Sequence, residues 1–222
     1  MMSKKQGKLL SWRLIPMDLA RLVLLWLPLF FRFRRYDTTG AKYKKKIRGG
    51  ALVVANHSSM IDPFLVWGCL WYRRVSFLAA EAVMRNPVVA WLLRGCGCIK
   101  IDRNISDIEA VRKAVDVLQN ERVVAMFPQG AITHEEEFSQ IKSGAILIAL
   151  RAGVPIVPMY SNHKNTPWYR PTVVVMGEPL DCRDYCKKKM PTMAEIEAAS
   201  AALLDRLEEC RKTYMALEGN HE

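Results

Sequence analysis

Residues 51–67 read ALVVANHSSMIDPFLVW. The five apolar residues 51–55 have strand length and no helical spacing, the mark of a strand buried on both faces. A polar turn, 56–62, follows. Pro63 then stands where a helix would begin, because the N–H that proline lacks has no partner in the first helical turn. Asp62, just ahead of it, reads as the N-cap of a helix over 63–73. A buried strand that passes through a polar turn into a helix is the first half of a βαβ unit.

Outward from this stretch the same alternation recurs. Strands are expected at 75–79, 98–101, 122–127, 154–157 and 172–176. Helices are expected at 81–94, 106–120, 142–152 and from 191 onward. Ser106 with Glu109, and Thr192 with Glu195, have capping-box spacing, and Gly153 closes the helix before it. Strands alternating with helices predict an α/β fold, a mostly parallel sheet flanked by helices, over residues 49–222. In such sheets ligands bind beyond the carboxyl ends of the strands. The polar segments at those ends are NHSSMID (56–62), DRN (102–104) and PQGAITHEEE (128–137). If their strands are parallel, the three segments share one edge.

The remaining residues, 1–48, hold thirteen Lys and Arg against Asp18 and Asp37, the whole of the net charge of +11. Among them lies the apolar run LVLLWLPLFF, 22–31. It is too short to span a bilayer, is interrupted by Pro28, and is followed by Arg32, Arg34 and Arg35. No small-residue cleavage site follows it, so a cleaved signal peptide is not expected. Nucleic-acid binders intersperse basic residues with single aromatics; an apolar run flanked by cations suits an anionic membrane surface. Residues 1–48 are expected to be a basic, amphipathic membrane-association segment of one or two interfacial helices broken near Pro16 or Pro28. The protein would lie on the cytoplasmic face of the membrane, peripheral or monotopic, with membrane lipid rather than nucleic acid as its partner. The plainer alternative is a core helix with solvated flanks. The six cysteines form no C-x-x-C pair and have no His at zinc spacing. Reduced thiols, no disulfide and no metal are expected.

The chemistry centres on His57 and Asp62. On one regular helix their spacing would put them on different faces; across a strand-to-helix turn the carboxylate can fold back onto the imidazole. A carboxylate on one ring nitrogen fixes the tautomer and makes the other a base for a hydroxyl proton. The structural alternative leaves Asp62 an N-cap and His57 a turn residue.

Four ordered blocks bear on that choice. N-H-x-S-x-x-D is carried by Asn56, His57, Ser59 and Asp62. A glycine and short strand ending in D-R appear as GCIKIDR, 97–103. FPQGAIT, 127–133, stands for a block that reads F-P-E-G-T-R-S, and VPIVP occupies 154–158. Over about residues 50–180 the chain resembles the glycerolipid acyltransferases, whose best-known members are the lysophosphatidic acid acyltransferases. The resemblance implies that His57 deprotonates an acceptor hydroxyl, which attacks the thioester of acyl-CoA or acyl-carrier protein, and that Asp62 orients His57. It places Asn56 and Ser59 with the substrate and gives Arg103 the acceptor phosphate. It assigns the Gly130 turn and the Pro155/Pro158 segment to the walls of the acceptor and acyl pockets, and it implies no cofactor. The departures are Gln129, Ala131 and Ile132, where the family has Glu, Thr and Arg. The two lost charges are opposite in sign, which leaves a neutral wall and Arg103 as the main motif cation, supported by His134 or Lys142. The expected function is acylation of a lysophospholipid, with 1-acyl-sn-glycerol-3-phosphate as the default acceptor. The alternatives are the same chemistry on another lipid acceptor, a non-catalytic lipid-binding relative, and a basic nucleic-acid binder.

Overall fold

The computed structural model describes residues 33–59, 61–80, 84–101, 107–128, 143–162, 171–186 and 191–219. Its centre is a seven-stranded sheet. The strands are β1 (Phe33–Asp37), β2 (Ala51–Ala55), β3 (Val75–Ala80), β4 (Ile99–Ile101), β5 (Val123–Met126), β6 (Ile156–Ser161) and β7 (Thr172–Met176), in the order β1-β7-β6-β2-β5-β3-β4. The five strands from β6 to β4 are mutually parallel; β7 runs antiparallel to β6, and β1 parallel to β7. The condition for a shared edge therefore holds, and the carboxyl ends of β2, β3, β4, β5 and β6 all lie on one side.

Among the described residues five α-helices accompany the strands: α1 (Asp62–Cys69), α2 (Pro87–Gly95), α3 (Ile108–Gln119), α4 (Gly144–Ala152) and α5 (Met193–Gly219), the last following β7. Three of them, α3, α4 and α5, bury Ala114, Leu118, Ile146, Leu203 and Leu207 against one sheet face. The other face is covered by α1 through Leu65, Val66 and Cys69, beside Tyr43 from the chain ahead of β2. Among the described residues no helix is long and apolar enough to cross a membrane. All six cysteines are free thiols.

Several boundaries differ from the sequence reading. The chain enters the sheet at Phe33, inside the segment read as membrane-associating; FRRYD carries three charges and hides a strand from any search for apolar runs. Charges are usual on such an edge strand, where they discourage pairing with another chain. Interfacial helices in residues 1–32 fall outside the described residues. The second helix starts at Pro87 rather than 81, because proline fits a first turn and not an interior. The N-cap of α3 is Asp107, which accepts Ala110 N–H at 2.9 Å, and not Ser106. β6 runs to Ser161, past the expected end at 157, with Pro158 inside it. Gly153 closes α4 at φ 67°. Thr192 and Glu195 form the expected reciprocal box, with the Thr192 amide donating to the Glu195 carboxylate at 2.8 Å and the Glu195 amide to the Thr192 hydroxyl at 3.3 Å.

Candidate active site

β2 delivers Asn56 and His57 to the carboxyl edge, and the turn that follows is organised by Asp62. Its carboxylate is 1% exposed. One oxygen, Oδ2, accepts Ser58 N–H at 2.7 Å and Ser59 N–H at 2.8 Å and lies 3.1 Å from His57 Nδ1. Asp62 is thus the first residue of α1 rather than its cap. The cap position is Ile61, which has no side-chain bond to give, and the carboxylate is spent on the turn. A buried carboxylate without donors would cost several kcal/mol; here two amides and an imidazole satisfy it. With Nδ1–H directed at Asp62, the tautomer assigned from this contact puts the basic lone pair on Nε2.

Two further contacts fix the imidazole. Phe127, just past the end of β5, stacks on the His57 ring at 4.4 Å between centroids and 21° between planes. Phe77 of β3 lies behind Phe127 at 6.3 Å. Asn56, 6% exposed, donates through Nδ2 to Ser161 O at 2.7 Å and accepts Ser161 N–H on Oδ1 at 3.0 Å. Its side chain prolongs the β2–β6 ladder by one rung beyond Ala55, and so holds the start of the turn.

This changes part of the assignment read from the sequence. His57 and Asp62 come together as expected. Asn56 was placed with substrate; in the structure one Nδ2 hydrogen and one Oδ1 lone pair are engaged by the Ser161 backbone. Ser59 closes the turn: its hydroxyl accepts Ile61 N–H at 3.3 Å and its carbonyl accepts Asp62 N–H at 3.1 Å. Pro155 is not brought to the site. Its carbonyl accepts Leu52 N–H at 3.0 Å at the amino end of β6, and six residues of strand put it roughly 20 Å from the level of His57. Arg103, Gln129, Gly130 and Lys142 lie outside the described residues. Missed altogether were Ser161, whose part is played by backbone atoms and leaves no side-chain signal, and Phe127, whose signal was its place at the carboxyl end of a strand neighbouring β2. Among the described residues no cluster of three or more His, Cys, Asp or Glu could hold a metal ion.

Chemically, the arrangement is a histidine held in one tautomer and one orientation beside a strand edge. It can take a proton from a hydroxyl and return it to a leaving group.

Residues 35–162, more than half of the chain, match the family model described as Acyltransferase. A 1-acyl-sn-glycerol-3-phosphate acyltransferase of Limnanthes douglasii is 28% identical over 146 residues, which cover 64% of this chain and 50% of that protein. One from Streptococcus pneumoniae is 30% identical over 109 residues, 49% of this chain and 40% of its own. One from Bacillus subtilis is 23% identical over 164 residues, 72% and 80% of the two chains. The chain spans about half the length of the Limnanthes relatives it matches. The crystal structure of the 1-acyl-sn-glycerophosphate acyltransferase PlsC from Thermotoga maritima superposes with a TM-score of 0.55 at 22% identity, over 89% of this chain and 78% of that one, a likeness of fold.

Proposed function

The chain belongs to the acyltransferase family, and from that premise we propose that it moves a fatty acyl group from acyl-CoA or acyl-carrier protein to the free hydroxyl of a lysophospholipid, with 1-acyl-sn-glycerol-3-phosphate as the acceptor, in phospholipid biosynthesis. The observation that carries this reading is the contact of His57 Nδ1 with the buried Asp62 carboxylate at the carboxyl edge of the sheet. His57 Nε2 takes the acceptor's hydroxyl proton as the oxygen attacks the thioester carbonyl. The tetrahedral intermediate collapses, the C–S bond breaks, and the imidazolium returns the proton to the thiolate. The Asp62 carboxylate balances the imidazolium. The transfer needs no metal or prosthetic group. The relatives' printed names support the acceptor. A membrane lipid as acceptor, with the basic apolar residues 1–32 ahead of the sheet, supports a place on the cytoplasmic face of the membrane.

The third block favours a second acceptor reading. With Gln129 and Ile132 where the family has a charged pair, the block 127–133 carries no charge, which suits an acceptor larger or less charged than a phosphomonoester. The test supplies the purified full chain with oleoyl-CoA or oleoyl-carrier protein and an equimolar mixture of lysophosphatidic acid, lysophosphatidylglycerol and lysophosphatidylcholine, with products read by mass spectrometry. Phosphatidic acid as the main product supports the first acceptor. Another main product, moved back towards phosphatidic acid by Gln129→Glu with Ile132→Arg, supports the second. No diacyl product from any acceptor with either donor would refute both.

A further inference from the structure

Among the described residues the two faces of the sheet are covered unequally. Three helices close one of them. The other carries α1 and the segment Ala41–Gly50, and α2 joins them: the β3-to-β4 crossover advances across the sheet in the same direction as the β2-to-β3 crossover, so a uniform hand puts both on one side. The large apolar side chains on this thinner face are not all buried. Phe64 and Trp71 are 40% and 56% exposed, and Trp91 of α2 is 75% exposed.

The segment ahead of β2 is a strap. After a turn in which Asp37 N–H donates to Ala41 O at 2.8 Å, it doubles back on β1, with Tyr43 N–H donating to Arg35 O at 2.9 Å. Tyr43 is buried and Ile47 packs beside it on the core beneath α1, so the strap is fastened by two inward side chains. Between and beyond them Lys44, Lys46 and Arg48 are exposed; Lys45 is paired with Glu178 at 2.5 Å. The strap and the aromatic residues meet at Tyr72. Its hydroxyl accepts Ile47 N–H at 3.0 Å, Lys46 Nζ stands 5.9 Å from its ring centroid, and Trp71 packs edge-on against it at 6.2 Å.

We propose that this face is a lipid-facing surface, in which Lys44, Lys46 and Arg48 meet the head groups of an anionic bilayer while Trp71 and Phe64 enter the interface, independently of residues 1–32. Amphipathic aromatics beside cations are what the boundary of an anionic membrane accommodates. An acidic protein would match the cations but give no reason for large aromatic side chains left in water. The surface also has a direction. Phe64 follows Asp62 by two residues, and Trp71 lies two turns farther along, beside the strap. Seating α1 on the bilayer therefore brings the His57 turn to the lipid surface, where a membrane-embedded acceptor would be met. This rests on the reading that the acceptor is a membrane lipid.

The test uses the full chain, residues 1–32 included, and compares wild type with Lys44→Gln/Lys46→Gln/Arg48→Gln and with Trp71→Ala. The first readout is sedimentation with vesicles of phosphatidylcholine alone and with added phosphatidylglycerol. Wild type should partition more strongly onto the anionic vesicles, and the triple variant should lose about tenfold or more of that gain. Trp71→Ala should weaken binding to both compositions. The second readout is the ratio of acyl transfer to lysophosphatidic acid in vesicles over transfer to a short-chain lysophosphatidic acid dissolved as monomers. Both variants should lower this ratio and leave the soluble reaction within about twofold. Folded variants that keep wild-type partition and wild-type ratio would overturn the proposal, and would do so equally if the strap served an acidic donor protein. Failure of the acyltransfer reading is seen separately, as no turnover of the soluble acceptor by wild type.

Discussion

At the carboxyl end of β2 a buried carboxylate, Asp62, collects the amides of Ser58 and Ser59 and the imidazole of His57. Ahead of its amino end a guanidinium, Arg73, collects the carbonyls of Ile47 at 2.6 Å, Glu121 at 2.6 Å and Gly49. The physics is the same with the sign reversed: one charge gathers backbone dipoles and fixes where the chain enters or leaves the sheet. The difference lies in the company each charge keeps. Asp62 has among its partners an imidazole, whose other ring nitrogen can take a proton from a hydroxyl and return it, so its grip becomes chemistry. Among the described residues Arg73 hydrogen-bonds to carbonyls alone, so its grip remains structural, tying the strap and the loop ahead of β5 to the turn after α1. A dense set of hydrogen bonds marks both places, but Asp62 is buried and Arg73 is only half-buried; the imidazole partner marks the first as a candidate for catalysis.

Substitutions at the two ends should separate rate from stability. The largest effect is expected for His57→Ala, a loss of about 10²-fold or more in kcat with thermal unfolding close to wild type, since the ring packs mainly on Phe127. Equal loss of rate and of folded protein would place His57 among the structural residues. Asp62→Asn comes next. It keeps the shape, removes the charge and disturbs the tautomer, so kcat should fall by tenfold or more. Unfolding free energy should also fall by about 2 kcal/mol as two amides lose a charged acceptor. Kinetics and denaturant unfolding on one preparation would read both. Arg73→Met should do the reverse: about 2 kcal/mol of stability lost, with kcat at a permissive temperature within about threefold of wild type. A larger rate loss in the folded variant would show that the amino end of the sheet communicates with the site. The smallest effect is expected for Thr192→Ala, which removes the cap of α5 and should cost about 1 kcal/mol with no change in kcat.

What the sequence disclosed of this comparison follows from where the signals reside. The strand ALVVA, the polar turn and Pro63 were enough to place His57 at a sheet edge, because composition and turn chemistry there point the same way. The dyad was legible because both members are side chains. The backbone contact of Asn56 went unread for the opposite reason. Its partner is the backbone of Ser161, far along the chain, and no side-chain pattern announces a main-chain contact. Pro155 was grouped with the pocket walls through its place in the VPIVP block, and membership of a block does not say which end of a strand a residue occupies; the structure puts it at the amino end of β6. β1 escaped notice because an edge strand can be charged, and FRRYD reads as solvated chain until β7 is beside it. Strand order could not be read at all, since it depends on pairings between residues such as Phe33 and Thr172 that share no local signal.

In this mechanism Asp62 acts in catalysis through His57 and not beside it. Measuring kcat for acyl transfer with His57→Ala, Asp62→Asn and the double variant, each purified and shown to be folded, tests this directly. If the two residues work as one unit, the double variant is no slower than His57→Ala alone, because the base that Asp62 would orient is already gone. A double variant slower by the product of the two single losses would mean that Asp62 contributes independently of His57, and would contradict the account.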